Sequence, residues 1–169
     1  GIGAHFFDSK GNPAPDGKTL AKELANHFSI TQENEKYELT TISQIVEIRK
    51  GRLDLETFIK KRLSGLTPDE NIKWLFSRKW RAIYTTNYDN GIQETYKLIP
   101  DPLQQPITIT LTPEVIELKP DFDIPIYHLH GSLFGPSKPQ IVITKKDYPK
   151  FREKRKMLFE LLKREFATS

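Results

Sequence analysis

The stretch Ile83-Tyr84-Thr85-Thr86-Asn87-Tyr88-Asp89 decides how the rest of the chain is read. Arg81 to Tyr84 reads as a short buried strand, and it runs straight into hydroxyls, an amide and a carboxylate. A helix should begin at once: Asn90-x-x-Gln93 resembles an amide form of the capping box, and Ile92, Tyr96 and Ile99 recur at helical spacing. In an open α/β sheet, ligands bind where the carboxyl ends of strands meet helix N-termini. Thr85 to Asp89 occupies such a junction, with amide and carboxylate groups suited to hydroxyls and developing positive charge. The same residues would also serve a strand–helix turn in which Asn87 and Asp89 only cap.

Working outward, 169 residues make about one domain, long enough to bury a core. Hydrophobic residues are 37% of the chain, yet they fall in periodic segments, which marks a globular rather than a disordered protein. A net charge of +4 suits an anionic ligand or nucleic acid without choosing between them. There is no cysteine, so disulfides and thiolate zinc sites within this chain are excluded, and a reducing cytoplasm is the fitting compartment. No apolar run approaches the length needed to span a bilayer, and no charged segment with an apolar core opens the chain.

Gly1-Ile2-Gly3-Ala4 has the small residues that let backbone approach a pyrophosphate, and it reads as a loop whose strand would precede it. Asp16 is placed to cap a helix over 17–28, with Leu20, Leu24 and Phe28 four apart. Residues 29–40 are polar and should connect. Ile42, Ile45, Val46 and Arg49, stopped by Gly51, describe a second helix. Asp54 is the expected cap of a third, with Leu55, Phe58, Ile59 and Leu63 on one face. Thr67-Pro68-Asp69-Glu70 reads as the start of a fourth, with Thr67 as cap. The second to fourth helices, three in a row before the central strand, exceed a simple crossover, so a helical module inserted at about 41–77 is expected.

Beyond the central motif, Pro100, Pro102 and Pro106 break the pattern. Ile107 to Leu111 alternates as a half-exposed strand, with Val115 to Leu118 as its expected hairpin partner. Together they describe an accessory β excursion over about 100–123. Ile124 to Gly131 is the second informative stretch. Period two puts Ile126, His128 and His130 on one face, and Tyr127 and Leu129 on the other. Two histidines at i and i+2 lack an obvious third metal ligand. His130, at the strand end before Gly131 and Ser132, is better placed for acid–base work, and His128 for a buried, hydrogen-bonded role. Gln140 to Thr144 reads as a further strand. Lys145 to Lys156 is basic, but its aromatics are not spaced as a stacking platform would require, so it reads as a solvated face rather than a nucleic-acid surface. Met157, Leu158, Leu161, Leu162 and Phe166 define a last amphipathic helix.

These segments together resemble the sirtuin-like NAD-consuming domains of bacterial antiphage defence proteins. The resemblance rests on Thr85-Thr86-Asn87-Tyr88-Asp89, on His128-Leu129-His130-Gly131, and less specifically on Gly1-Ile2-Gly3-Ala4 with Pro15. It extends to Ile141-Val142-Ile143-Thr144 with Asp147-Tyr148, so that order and spacing agree across nearly the whole chain. It implies a single α/β domain, a Rossmann-like three-layer sandwich with a mostly parallel sheet, here without its first and last strands. It further implies NAD+ as substrate, no metal, and cleavage to nicotinamide and ADP-ribose. Asn87 would bind a ribose hydroxyl and orient water, Asp89 would hold the nicotinamide carboxamide, and His130 would take a proton. Gly1, Gly3 and Ala4 would meet the pyrophosphate, with Pro15, Thr85, Thr86, Gly131 and Ser132 completing the nucleotide-binding surface. Expected partners are sensor or effector domains and further copies of the protein, with neither nucleic acid nor membrane. The chain departs from the pattern at His5, where serine is usual, and in ending before the strand and glycine-serine loop that hold the adenosine half. The resemblance leaves two alternatives open, a non-catalytic interaction module and an NAD-dependent deacylase. The deacylases' four-cysteine zinc module is missing from the span, which favours hydrolysis.

Overall fold

Asp16 opens the first helix, α1 (Gly17–His27), its carboxylate accepting from the Thr19 N–H at 2.7 Å. This is the capping geometry the sequence predicts, and it buries Leu20 and Leu24 at the expected spacing. The structure, a computed structural model, describes residues 2–31, 37–110, 118–119, 121–135, 141–154 and 156–167. Before α1, a turn of 3-10 helix (Ile2–His5) leads into β1 (Phe6–Phe7).

The second helix, α2 (Leu39–Lys50), is stopped by Gly51, whose φ of 93° lies where only glycine sits without strain. The third, α3 (Arg52–Arg62), starts immediately afterwards, so Gly51 is also its cap and Asp54 lies inside the first turn. The expected cap at Asp54 is therefore corrected. The next start signal also moves. Thr67–Pro68 forms β2, paired antiparallel with β1, and it is Asp69 that caps α4 (Glu70–Phe76) by accepting from Ile72 N–H at 2.9 Å. Pro68 offers no N–H, which a two-residue edge pairing tolerates.

The central sheet has three strands in the order β3 (Ile83–Thr85), β5 (Asp123–His128), β4 (Gln105–Ile109), and both pairings are parallel. β4 lies within the stretch expected to be an accessory excursion, yet it is a strand of this sheet. Its parallel register with β5 means it is not paired in a hairpin there. The expected hairpin partner, apart from Leu118, falls outside the described residues. The strand expected at Gln140 to Thr144 is not formed over the described 141–144; the segment is irregular, with Val142 N–H bonded to the His130 carbonyl.

Alternation along β5 sorts the layers. Ile124 and Ile126 face a large core shared with α1 to α4 and with α5 (Gly91–Leu98) through Ile92 and Tyr96. Tyr127 points the other way, into a smaller cluster with Ile109 and Leu158. Leu158 belongs to α7 (Lys156–Ala167), which follows α6 (Asp147–Lys154). This is a mixed α/β fold with helices on both faces of a small parallel sheet, as the sequence leads one to expect. Among the described residues no helix is long and apolar enough to cross a membrane.

Candidate functional site

The site is built from one rung of the β3–β5 ladder. Thr85 and His128 are register partners, and Asn87 and His130 each stand two residues beyond that pair. Both residues thus lie at the sheet's rim, just past the carboxyl ends of two adjacent strands. Local bonds hold each turn. The Asn87 N–H donates to Thr85 Oγ1 at 3.0 Å, and Leu129 N–H donates to the Thr85 carbonyl at 2.8 Å. Gly131, at φ 82°, turns the second loop and gives its N–H to the His128 carbonyl at 2.9 Å.

This rim borders a cleft of about 550 Å³, within the usual range of small-molecule sites. Thr86, Asn87, Asp89 and His130 line it from the sheet, and Gly3 and Ala4 line it from the first loop. A β-carbon placed on Gly3 would lie 3.7 Å from Asn87 Nδ2, which shows how near the two segments run. The N-terminus of α1 adds Pro15, Asp16 and Gly17, while Leu39, at the start of α2, and Leu63, at the end of α3, bring an apolar wall. A larger, open concavity of about 900 Å³ lies elsewhere, around His27, Phe58 and Lys61, and it contains none of these groups.

Two environments tune the cleft. Hydrogen bonds from the Thr19 N–H and then from its side chain hold the Asp16 carboxyl below its ordinary range, so a fixed negative charge sits beside the α1 N-terminus. Burial pushes the Tyr88 phenol well above its ordinary value, keeping it a neutral donor to the Val142 carbonyl at 2.8 Å. The Tyr88 ring stacks on His130 at 6.5 Å, and Tyr148 and Phe151 meet the imidazole edge-on at 6.0 and 5.4 Å.

Behind His130, the Asp147 carboxylate accepts from the N–H groups of Ile143 and Thr144 and from Arg52 Nη1, at 2.9 to 3.1 Å. Burial alone would raise that carboxyl, but the Arg52 guanidinium and the two amides hold it below its ordinary value. Arg52 also donates to the Ile141 carbonyl and to Glu56 and Glu47. One guanidinium thus joins α3 to the 141–147 segment, whose Val142 N–H bonds the His130 carbonyl.

Of the residues singled out from sequence, Gly3, Ala4, Pro15, Thr86, Asn87, Asp89 and His130 line this one cleft. Gly1 lies outside the described residues. Thr85, Gly131 and Ser132 are buried and act on the backbone instead: Ser132 Oγ accepts from Phe134 N–H at 3.1 Å. The expected capping box at Asn90 and Gln93 is not formed. Asn90 reaches Glu94, and Asp89 Oδ1 accepts from Gly91 N–H at 2.9 Å. His5 pairs with Asp69 at 2.8 Å and does not line the cleft. Sequence reading missed Tyr88, whose bonding partner is 54 residues away. It missed Leu39 and Leu63 as well, which carry no signal beyond helical spacing.

Residues 81–169, just over half of the sequence, match the SIR2-like domain family. The chain belongs to the SIR2-like family. Members of this family are NAD-consuming enzymes, and the matched span includes Asn87, Asp89 and His130. No curated protein matches the chain. Among its described residues, this SIR2-like chain has no group of three or more histidine, aspartate or glutamate side chains arranged to hold a metal.

Proposed function

We propose that this SIR2-like domain hydrolyses NAD+ to nicotinamide and ADP-ribose. The observation that carries the reading is that Asn87 and His130 follow the same rung of two adjacent strands and line one cleft with Gly3 and Ala4. In the reaction, the bond between the nicotinamide nitrogen and ribose C1′ breaks, and its electron pair stays on the leaving nicotinamide. Water oxygen forms the new bond to C1′ and gives up a proton. The transition state resembles an oxocarbenium ion, so the protein must fix the sugar, hold the leaving group and deliver water.

Each residue has a share in this. The Asn87 carboxamide binds a ribose hydroxyl and orients the water. Asp89 engages the nicotinamide carboxamide. The His130 imidazole takes the proton, a task suited to an ordinary histidine pKa of about 6.5. Stacking against Tyr88 and edge contacts from Tyr148 and Phe151 keep its ring in one orientation. Gly3 and Ala4 let the pyrophosphate approach the backbone closely. The resemblance of the two motifs to antiphage-defence domains supports a role as a cytoplasmic effector that drains NAD+ on infection, held off in between through partner domains or self-assembly.

The test is nicotinamide release from NAD+ by the intact protein, with and without an acyl-lysine peptide. Release without peptide is expected, and Asn87→Ala and His130→Ala should each lower it by about a hundredfold or more at unchanged melting temperature. Release that depends on peptide would point to deacylation, and parental rates in either variant would overturn the assignment.

A further inference from the structure

His128 has no place in the reaction just described, lines no part of the cleft, and is 1% exposed. Its ring lies where β5, β4, α5 and the Asn87 turn meet. Nδ1 is 3.0 Å from the Asn87 backbone carbonyl, and Nε2 is 2.9 Å from Gln93 Nε2. A carbonyl oxygen only accepts, so Nδ1 must carry hydrogen. A carboxamide nitrogen only donates, so Nε2 must offer its lone pair. The two contacts select one neutral tautomer. Gln93 Nε2 also lies 2.8 Å from Thr108 Oγ1, which uses its second hydrogen and fixes the amide against the ring. The arrangement leaves the buried Gln93 Oε1 without a hydrogen-bond partner among the described residues. Turning the amide round would satisfy that oxygen but require hydrogen on Nε2. A neutral ring would then aim a lone pair at the Asn87 carbonyl, and a charged one would bury a cation, which is costly.

Building on the reading of Asn87 as the sugar-binding group, we propose that His128 is a positioning residue. Its Nδ1–H holds the Asn87 carbonyl and so sets where the Asn87 carboxamide stands in the cleft, while Gln93, braced by Thr108, locks the tautomer that can do so. A small misplacement of a positioned group costs up to about a hundredfold in rate, mainly in kcat when binding is shared among many contacts.

The test uses the two carboxamides that mimic the two ring nitrogens. Asparagine at 128 puts an N–H near the Nδ1 position, and glutamine puts one near Nε2. In the intact protein, His128→Asn should keep kcat for NAD+ within about threefold, whereas His128→Gln should lose about tenfold or more with KM little changed. A purely structural role predicts equal activity in two variants of equal melting temperature, and that result would overturn the proposal. Nitrogen-15 NMR of the unsubstituted protein gives a readout that needs neither turnover nor a variant. The His128 ring should be neutral with hydrogen on Nδ1; hydrogen on Nε2 would overturn the proposal. Absence of NAD+ hydrolysis with the Nδ1–H tautomer present would sink the proposed reaction and leave the His128 bond to Asn87 standing.

Discussion

Gly91 sets a sharp test of how the site is packed. It is the first residue of α5, and a β-carbon there would lie 2.7 and 2.9 Å from two ring carbons of Phe6 and 2.9 Å from Asp89 Oδ1. Real β-carbons do not sit so close, and Phe6, at 1% exposure, has no room to withdraw. Gly91→Ala therefore forces the ring, the helix start or Asp89 to move. Overpacking of this kind costs about 1–3 kcal/mol, and the gain from alanine's better helix propensity, up to about 1 kcal/mol, offsets only part of it. A net loss of about 1–2 kcal/mol corresponds to a melting temperature lower by about 2–8 °C in a chain of this length. Calorimetry or a thermal melt measures it, and nicotinamide release measured in parallel should fall because Asp89 loses its place. Shrinking the ring supplies the control: Phe6→Leu added to Gly91→Ala should cost less than the two single changes together. An unchanged or higher melting temperature in Gly91→Ala, or strict additivity in the double variant, would refute the packing argument.

Other outcomes follow from the same contacts. Arg52→Leu leaves the Asp147 carboxylate partly buried beside Glu47 and Glu56 without its cation, and should cost about 3 kcal/mol in a denaturant titration. The Asp147 carboxyl, held low when folded, contributes stability above its unfolded pKa of about 3.9 and loses it as pH falls through the folded value. Melting temperature should accordingly drop less steeply below about pH 4 in Asp147→Asn than in the parent. Among the described residues the buried Tyr96 hydroxyl has no hydrogen-bond partner, so Tyr96→Phe should leave thermal stability unchanged or slightly raised; a loss above about 1 kcal/mol would show that the hydroxyl is bonded.

Features with local causes were legible in the sequence. Asp16 caps the helix it precedes, Gly51 ends the helix it follows, and alternation along β5 divides its residues between two cores. The pairing of Asn87 with His130 could be anticipated because both follow strand-like stretches, although their shared rung could not. What failed depended on distant partners. Thr67–Pro68 looks like a helix start until Phe6–Phe7, some 60 residues earlier, takes it as a strand. Gln93 looks like a capping residue until His128 and Thr108 claim its amide. Nothing near Arg52 announces that its guanidinium reaches Asp147 and Ile141. Short-range preference is worth tenths of a kcal/mol to about 1 kcal/mol per residue, and tertiary contacts of this kind outweigh it.

The common rung beneath Asn87 and His130 bears on how such a domain can diversify. Whatever length is gained or lost between the two strands leaves the register of Thr85 with His128, and so the shared starting point of the two turns, untouched. A single residue inserted within either strand would instead throw its side chain to the opposite surface. Variation in the helical walls is thus free to reshape what the cleft admits, while Asn87 and His130 stay in phase.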